Sequence, residues 1–134
     1  MMIYTSFYDN IENIPEDIVK ISIAGWCPDN YTGLQYKVLA PKWSFFEKWK
    51  YKKEGFEDCY QNNDYYIENF YELVLNKLNP KKVYKRLMEL SGGKDVVLLC
   101  YETPELFCHR HIVQKWFNDN GIECKEYIPL PKVV

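Results

Sequence analysis

The residues of this chain that could do chemistry crowd into one stretch. Val96-Val97-Leu98-Leu99-Cys100-Tyr101-Glu102 is an apolar run ending in a thiol and a carboxylate, and Cys108-His109-Arg110-His111 follows after a short break. Both histidines of the chain and two of its five cysteines fall here. A cysteine becomes a nucleophile as its thiolate, and a guanidinium, an imidazole or a helix N-terminus beside it favours that form. Cys100 is therefore the candidate nucleophile. Glu102 is the candidate to orient His109, or to act as acid or base where its surroundings raise its pKa. Arg110 offers a planar fork suited to carboxylate or phosphate. With the helix start at Cys108 and with His109, it makes a candidate anion site.

Each of these residues also has a plainer reading. A cysteine closing a core strand is often only a small hydrophobe. Glu102 and Arg110 can pair with each other as a structural ion pair, and His111 reads as a satisfied surface or core histidine. Zinc is a third reading, because Cys100, Cys108, Glu102 and either histidine are competent ligands. The chain has no CxxC pair and no HxxxH, however, and adjacent Cys108 and His109 side chains would diverge on a helix. No metal and no cofactor is expected, although a cavity lined by Cys27 would favour a metal.

These side chains need elements to hold them. Val96 to Cys100 reads as a core strand, and Cys108 to Asn118 as a helix burying Ile112, Val113, Trp116 and Phe117. Ile122 to Ile128 reads as a closing strand. Strand, helix and strand in that order form a βαβ crossover, hence a parallel pair. Upstream, Ile3 to Tyr8 is β-branched and aromatic, and Val19 to Ala24 alternates with a period of two before stopping at Gly25. The turn-rich segment from Gly25 to Gly33 is expected to be a loop, and Asn13 to Asp17 has room for one helical turn. Ser44 to Lys52 is expected to be helical, and Tyr51 to Asn63 an exposed connection. Asp64 is the expected cap of a helix carrying Ile67, Phe70, Val74 and Leu78. Asn79-Pro80 starts another helix, which Gly92-Gly93 ends. The sum is a single α/β domain over residues 1–134: a mostly parallel sheet of about four strands with helices on both faces. Ligands of open α/β sheets bind beyond the strands' carboxyl ends, where Cys100, Glu102 and the loop opening at Gly25 would meet.

Composition narrows the options. With 134 residues, 47% of them hydrophobic, the chain can pack one core and is not of disordered type. A net charge of −2 argues against a broad face for duplex nucleic acid. The lysines interleaved with Trp49 and Tyr51 are diluted by neighbouring acids. No run is long and apolar enough to span a bilayer, and no signal segment precedes the first strand. Five scattered cysteines, an odd number, then predict reduced thiols and a cytoplasmic location, away from membranes.

An apolar strand ending Cys-x-Glu at Cys100 and Glu102, followed by Cys108-His109-Arg110 opening a helix, resembles the family known as domain of unknown function 488. Ser22-Ile23-Ala24-Gly25, Gly33-Leu34-Gln35-Tyr36, Leu39-Ala40-Pro41 and Ser91-Gly92-Gly93-Lys94-Asp95 are similar to its short bacterial and phage branch. The resemblance implies a small α/β fold and a shared site at Cys100, Glu102, Cys108, His109 and Arg110. Many longer relatives carry Asp-x-Arg at the end of the second strand, where this chain has Ser22-Ile23-Ala24-Gly25-Trp26. The leading expectation is a protein that binds an anionic small molecule, a nucleotide or nucleic-acid end, at the sheet edge. Cys100 and Glu102 would lie nearest the reacting group, with Cys108, His109, Arg110 and Gly25 around the ligand. The rival is a non-catalytic interaction module in which the same residues only lock strand to helix.

Overall fold

The computed structural model describes residues 1–50, 60–101 and 108–127. Cys59, Glu102 and Ile128 lie outside the described residues. Five strands, β1 (Ile3–Phe7), β2 (Val19–Ser22), β3 (Leu34–Gln35), β4 (Val96–Cys100) and β5 (Cys124–Glu126), form one all-parallel sheet in the order β3-β2-β4-β1-β5. The helices are α1 (Trp43–Lys50), α2 (Tyr60–Leu73), α3 (Pro80–Ser91) and α4 (His109–Asp119). No described helix is long and apolar enough to cross a membrane.

β4 is the middle strand, and all five of its residues are buried. Covered on both faces, it has no need of polar alternation, which is why it reads as a continuous apolar run. Its side chains divide by parity. Val96 and Leu98 join Ile3 and Ile21 in a core closed by Phe45, Phe70, Val83, Leu87, Val113 and Phe117 of the four α-helices. Val97 and Leu99 point the other way, into a smaller core with Tyr8, Ile14 and Ile18. That second face is covered by a 3-10 helix, Tyr8–Asn13, and by loops. Cys100, next in the alternation, falls on the α-helical face.

Several expectations shift. The sheet has five strands because Leu34–Gln35 pairs with β2; both residues are exposed, so no buried alternation advertised the strand. β4 and β5 are parallel but not adjacent, since β1 sits between them and pairs with both. The helical turn after β1 comes earlier than Asn13, at Tyr8–Asn13. Asp64 lies inside α2, which already begins at Tyr60, so it is not a cap. Asn79 is one: its side chain accepts from the backbone N–H groups of Lys81 and Lys82, and Pro80 takes the first helical position. α3 ends at Gly92 with φ +66°, the left-handed conformation for which glycine is suited.

Candidate functional site

Cys100 ends β4, and Cys108 stands directly before α4 as its N-cap residue, with extended backbone and no side-chain capping bond. The strand end and the helix start face each other, and the two sulfurs are joined in a disulfide, with Cα atoms 7.2 Å apart. This corrects the expectation of five reduced thiols: the crossover brings together two cysteines eight positions apart. Cys27 and Cys124 are free. Burial pushes the Cys124 thiol up to about 12, which makes it inert at neutral pH.

His109, the first residue of α4, is buried beside the pair. Its Nδ1 lies 3.3 Å from Cys100 Sγ and 4.0 Å from Cys108 Sγ. Its Nε2 lies 2.8 Å from the backbone carbonyl of Ile23, just beyond β2. A carbonyl can only accept, so Nε2 carries the proton and Nδ1 turns a lone pair toward the sulfurs. Burial lowers the imidazole pKa to about 4, Arg110 and His111 acting in the same direction, so the ring is neutral at pH 7. The Phe70 ring of α2, 5.6 Å away, packs beside it. Three strand-linked segments thus meet at one imidazole: the end of β4, the backbone after β2 and the start of α4.

Arg110 is the largest fully buried side chain among the described residues. Its Nε donates to Glu126 Oε1 at 3.1 Å and its Nη2 to Oε2 at 3.0 Å, a bidentate pair reaching from α4 to β5. The Thr5 hydroxyl donates to the same carboxylate at 2.6 Å, and the Phe7 ring lies 5.7 Å from the guanidinium carbon. Two arms of the fork expected to hold a ligand therefore face Glu126. Sequence reasoning missed Glu126 and Thr5. The signal for Glu126 was its parity with buried Cys124 in a strand whose alternation is weak.

Gly25 lies in the bend after β2, at the same edge, with open space where a Cβ would stand. Beyond the other face of that edge, the Tyr8 hydroxyl and Ser22 Oγ are 2.6 Å apart, and Cys27 Sγ donates to Ser22 Oγ at 3.2 Å. The rings of Tyr31 and Tyr101 pack against Tyr8 at 5.5 and 4.9 Å. Burial pushes the Tyr31 hydroxyl up to about 12, so it stays protonated at neutral pH. His111 is half-buried on the first turn of α4.

Residues 11–121 match the family model DUF488-N3a, described as the active DUF488-N3 subclade. The chain belongs to this family. No curated protein and no solved structure matches it. The DUF488-N3a match runs from the 3-10 helix through the end of α4, taking in Cys100, Cys108, His109 and Arg110 and stopping short of Glu126.

Proposed function

We propose that this DUF488-N3a protein is a thiol-dependent enzyme acting on an anionic small molecule, a nucleotide or nucleic-acid end, at the carboxyl edge of its sheet. The observation that carries the reading is the 3.3 Å approach of His109 Nδ1 to Cys100 Sγ, with Nε2 tied to Ile23. A nucleophile, a base and a group orienting the base are the parts that thiol catalysis needs. A thiol reductant first opens the Cys100–Cys108 disulfide, and for this reason the reading places the protein in the reducing cytoplasm. The Cys100 proton then passes to Nδ1. The sulfur's electron pair forms the new bond to the substrate's electrophilic atom as the leaving group departs with its own pair. The imidazole is unprotonated at pH 7 and so free to accept that proton; burial makes it a weak base beside the disulfide, and the thiolate formed at Cys100 favours the protonated ring. Arg110, through Glu126, holds the first turn of α4 against the sheet and so positions His109. The description of the subclade as active supports catalysis.

Support for an anionic ligand comes from the start of α4. Its first turn carries no acidic residue of its own, Cys108 makes no side-chain capping bond, and the nearby Glu126 carboxylate is taken up by the Arg110 guanidinium. Exposed Trp26 and Tyr101 at the same edge offer ring faces on which a base can stack. The test is alkylation of reduced protein by iodoacetamide, followed by mass mapping. Cys100 is expected to react at neutral pH far faster than Cys124, and roughly 100-fold more slowly in His109→Ala. Nucleoside monophosphates are expected to protect it. A Cys100 inert into the alkaline range overturns the catalytic reading, and absence of protection removes the nucleotide. The burial of Arg110 favours the interaction-module reading for that residue, and a chain whose Cys100→Ser variant keeps every activity would establish it.

A further inference from the structure

The disulfide cannot coexist with a metal, but the same three residues make a metal site once it is opened. We propose that, in the reduced protein, Cys100, Cys108 and His109 bind one divalent thiophilic ion of the zinc class, leaving its fourth position open. The proposal shares Cys100 and His109 with the catalytic reading, so metal binding and thiol attack belong to different states of the reduced protein, and each reading can fail without the other.

The donor atoms of the three residues all lie within 4.8 Å of one another, and all three residues are buried. A tetrahedral zinc ion, about 2.3 Å from sulfur and about 2.0 Å from nitrogen, keeps those donors roughly 3.5 Å apart. The observed separations from Nδ1, 3.3 and 4.0 Å, already straddle that value. Only the two sulfurs must part, to roughly 3.8 Å by the same geometry. Their Cα atoms, 7.2 Å apart, stand slightly wider than is usual for a disulfide, so the backbone leaves that room. The divergence of Cys108 and His109 on a helix, which argued against a metal, does not arise. Cys108 is extended, with φ −152° and ψ 145°, and lies outside α4, so both side chains turn to the strand end.

The second shell fits as well. A ligating histidine commonly gives its other N–H to a carbonyl or carboxylate, which fixes the tautomer and aims the ligand. His109 gives Nε2–H to the Ile23 carbonyl and turns Nδ1 to the sulfurs. Two thiolates and one imidazole with an open fourth position is a donor set of the catalytic-zinc kind. The chemistry balances. A dithiol reductant supplies two electrons and two protons, becoming a disulfide itself as the Cys100–Cys108 bond breaks into two thiols. Metal binding then displaces both thiol protons into solvent while His109 coordinates as the neutral ring.

Cobalt(II) reports this site directly. Full-length protein reduced with a phosphine and freed of metal is titrated with Co2+, and bound Co2+ is then displaced by Zn2+. One Co2+ per chain is expected, with a thiolate-to-cobalt charge-transfer band and the visible bands of a tetrahedral ion. Cys108→Ser and His109→Ala should each weaken binding more than about 100-fold, beyond what loss of a second-shell group alone causes. Cys27→Ser, outside the site, should bind as the parent does. The wild-type protein with its disulfide intact needs no substitution and should bind no Co2+ in this way, which keeps the test valid if a variant misfolds. A reduced wild-type protein without the charge-transfer band, or an unchanged titration after oxidation, overturns the proposal. Iodoacetamide reactivity of Cys100 without a cobalt spectrum sinks the metal site and leaves the catalytic reading intact. A stoichiometric cobalt spectrum with an inert metal-free Cys100 does the reverse.

Discussion

At the scale of single residues, the site rests on two buried polar groups that solve their burial differently. His109 stays neutral and shares its one proton with Ile23. Arg110 stays charged and is matched by a bidentate carboxylate. Removing one partner of a buried pair leaves an uncompensated charge, whereas replacing both with apolar groups is far milder. Glu126→Gln is therefore expected to lower unfolding stability by about 3 kcal/mol, and Arg110→Met combined with Glu126→Leu by much less than the two single losses added. Urea unfolding of the parent, Glu126→Gln, Arg110→Met, Glu126→Leu and the double substitution measures this, and a Glu126→Gln loss under about 1 kcal/mol would show that the pair contributes little. The residue types that could do chemistry were legible in the sequence, because thiols, imidazoles and guanidinium groups concentrate at Cys100 to His111. Glu126 was not legible as a partner of Arg110, because that pairing depends on β5 lying over α4's first turn.

At the scale of elements, the parts that announce themselves do so by local chemistry. α3 carries its own start and stop: Asn79 caps its N-terminus, Pro80 follows, and Gly92 ends it in the left-handed region. Asn79→Ala is expected to destabilise the protein by about 1 kcal/mol, since two backbone donors lose their acceptor. A urea midpoint indistinguishable from that of the parent would show that other groups satisfy those donors. Elements without such signals were misplaced. β3 is two exposed residues held by pairing alone, and α2 begins before the Asp64 that looked like its cap. The start of α4 was read nearly in place, yet one residue mattered: with Cys108 at the N-cap rather than in the first turn, its side chain reaches Cys100.

At the scale of the whole molecule, His109 couples global stability to pH. In the unfolded chain its imidazole titrates near the ordinary 6.5, and in the folded one near 4. Between those values the unfolded chain binds a proton that the folded chain does not, so acid favours unfolding. The stability that His109 contributes is full above about 6.5, falls as pH drops through this window, and levels off below about 4. The shift corresponds to about 3 kcal/mol at most. Urea unfolding of the disulfide form between neutral pH and pH 4 is expected to show that decline, and His109→Gln to flatten it. A parent and variant with parallel pH profiles would contradict the buried neutral ring.

What could be read along the chain is whatever depends on near neighbours: the unbroken apolar run of β4, the cap and stop of α3, and the crowding of reactive residues around one strand end. These are local free energies, written in periodicity and in turn chemistry. The disulfide, the tautomer of His109 and the pairing of Arg110 with Glu126 depend on which strands lie side by side. Placing β1 between β4 and β5 sets where the carboxylate of β5 stands beneath α4. Laying the end of β2 beside β4 supplies the Ile23 carbonyl that turns Nδ1 toward the sulfurs. A buried polar group takes the partner that folding brings within reach, and that partner can be distant in sequence.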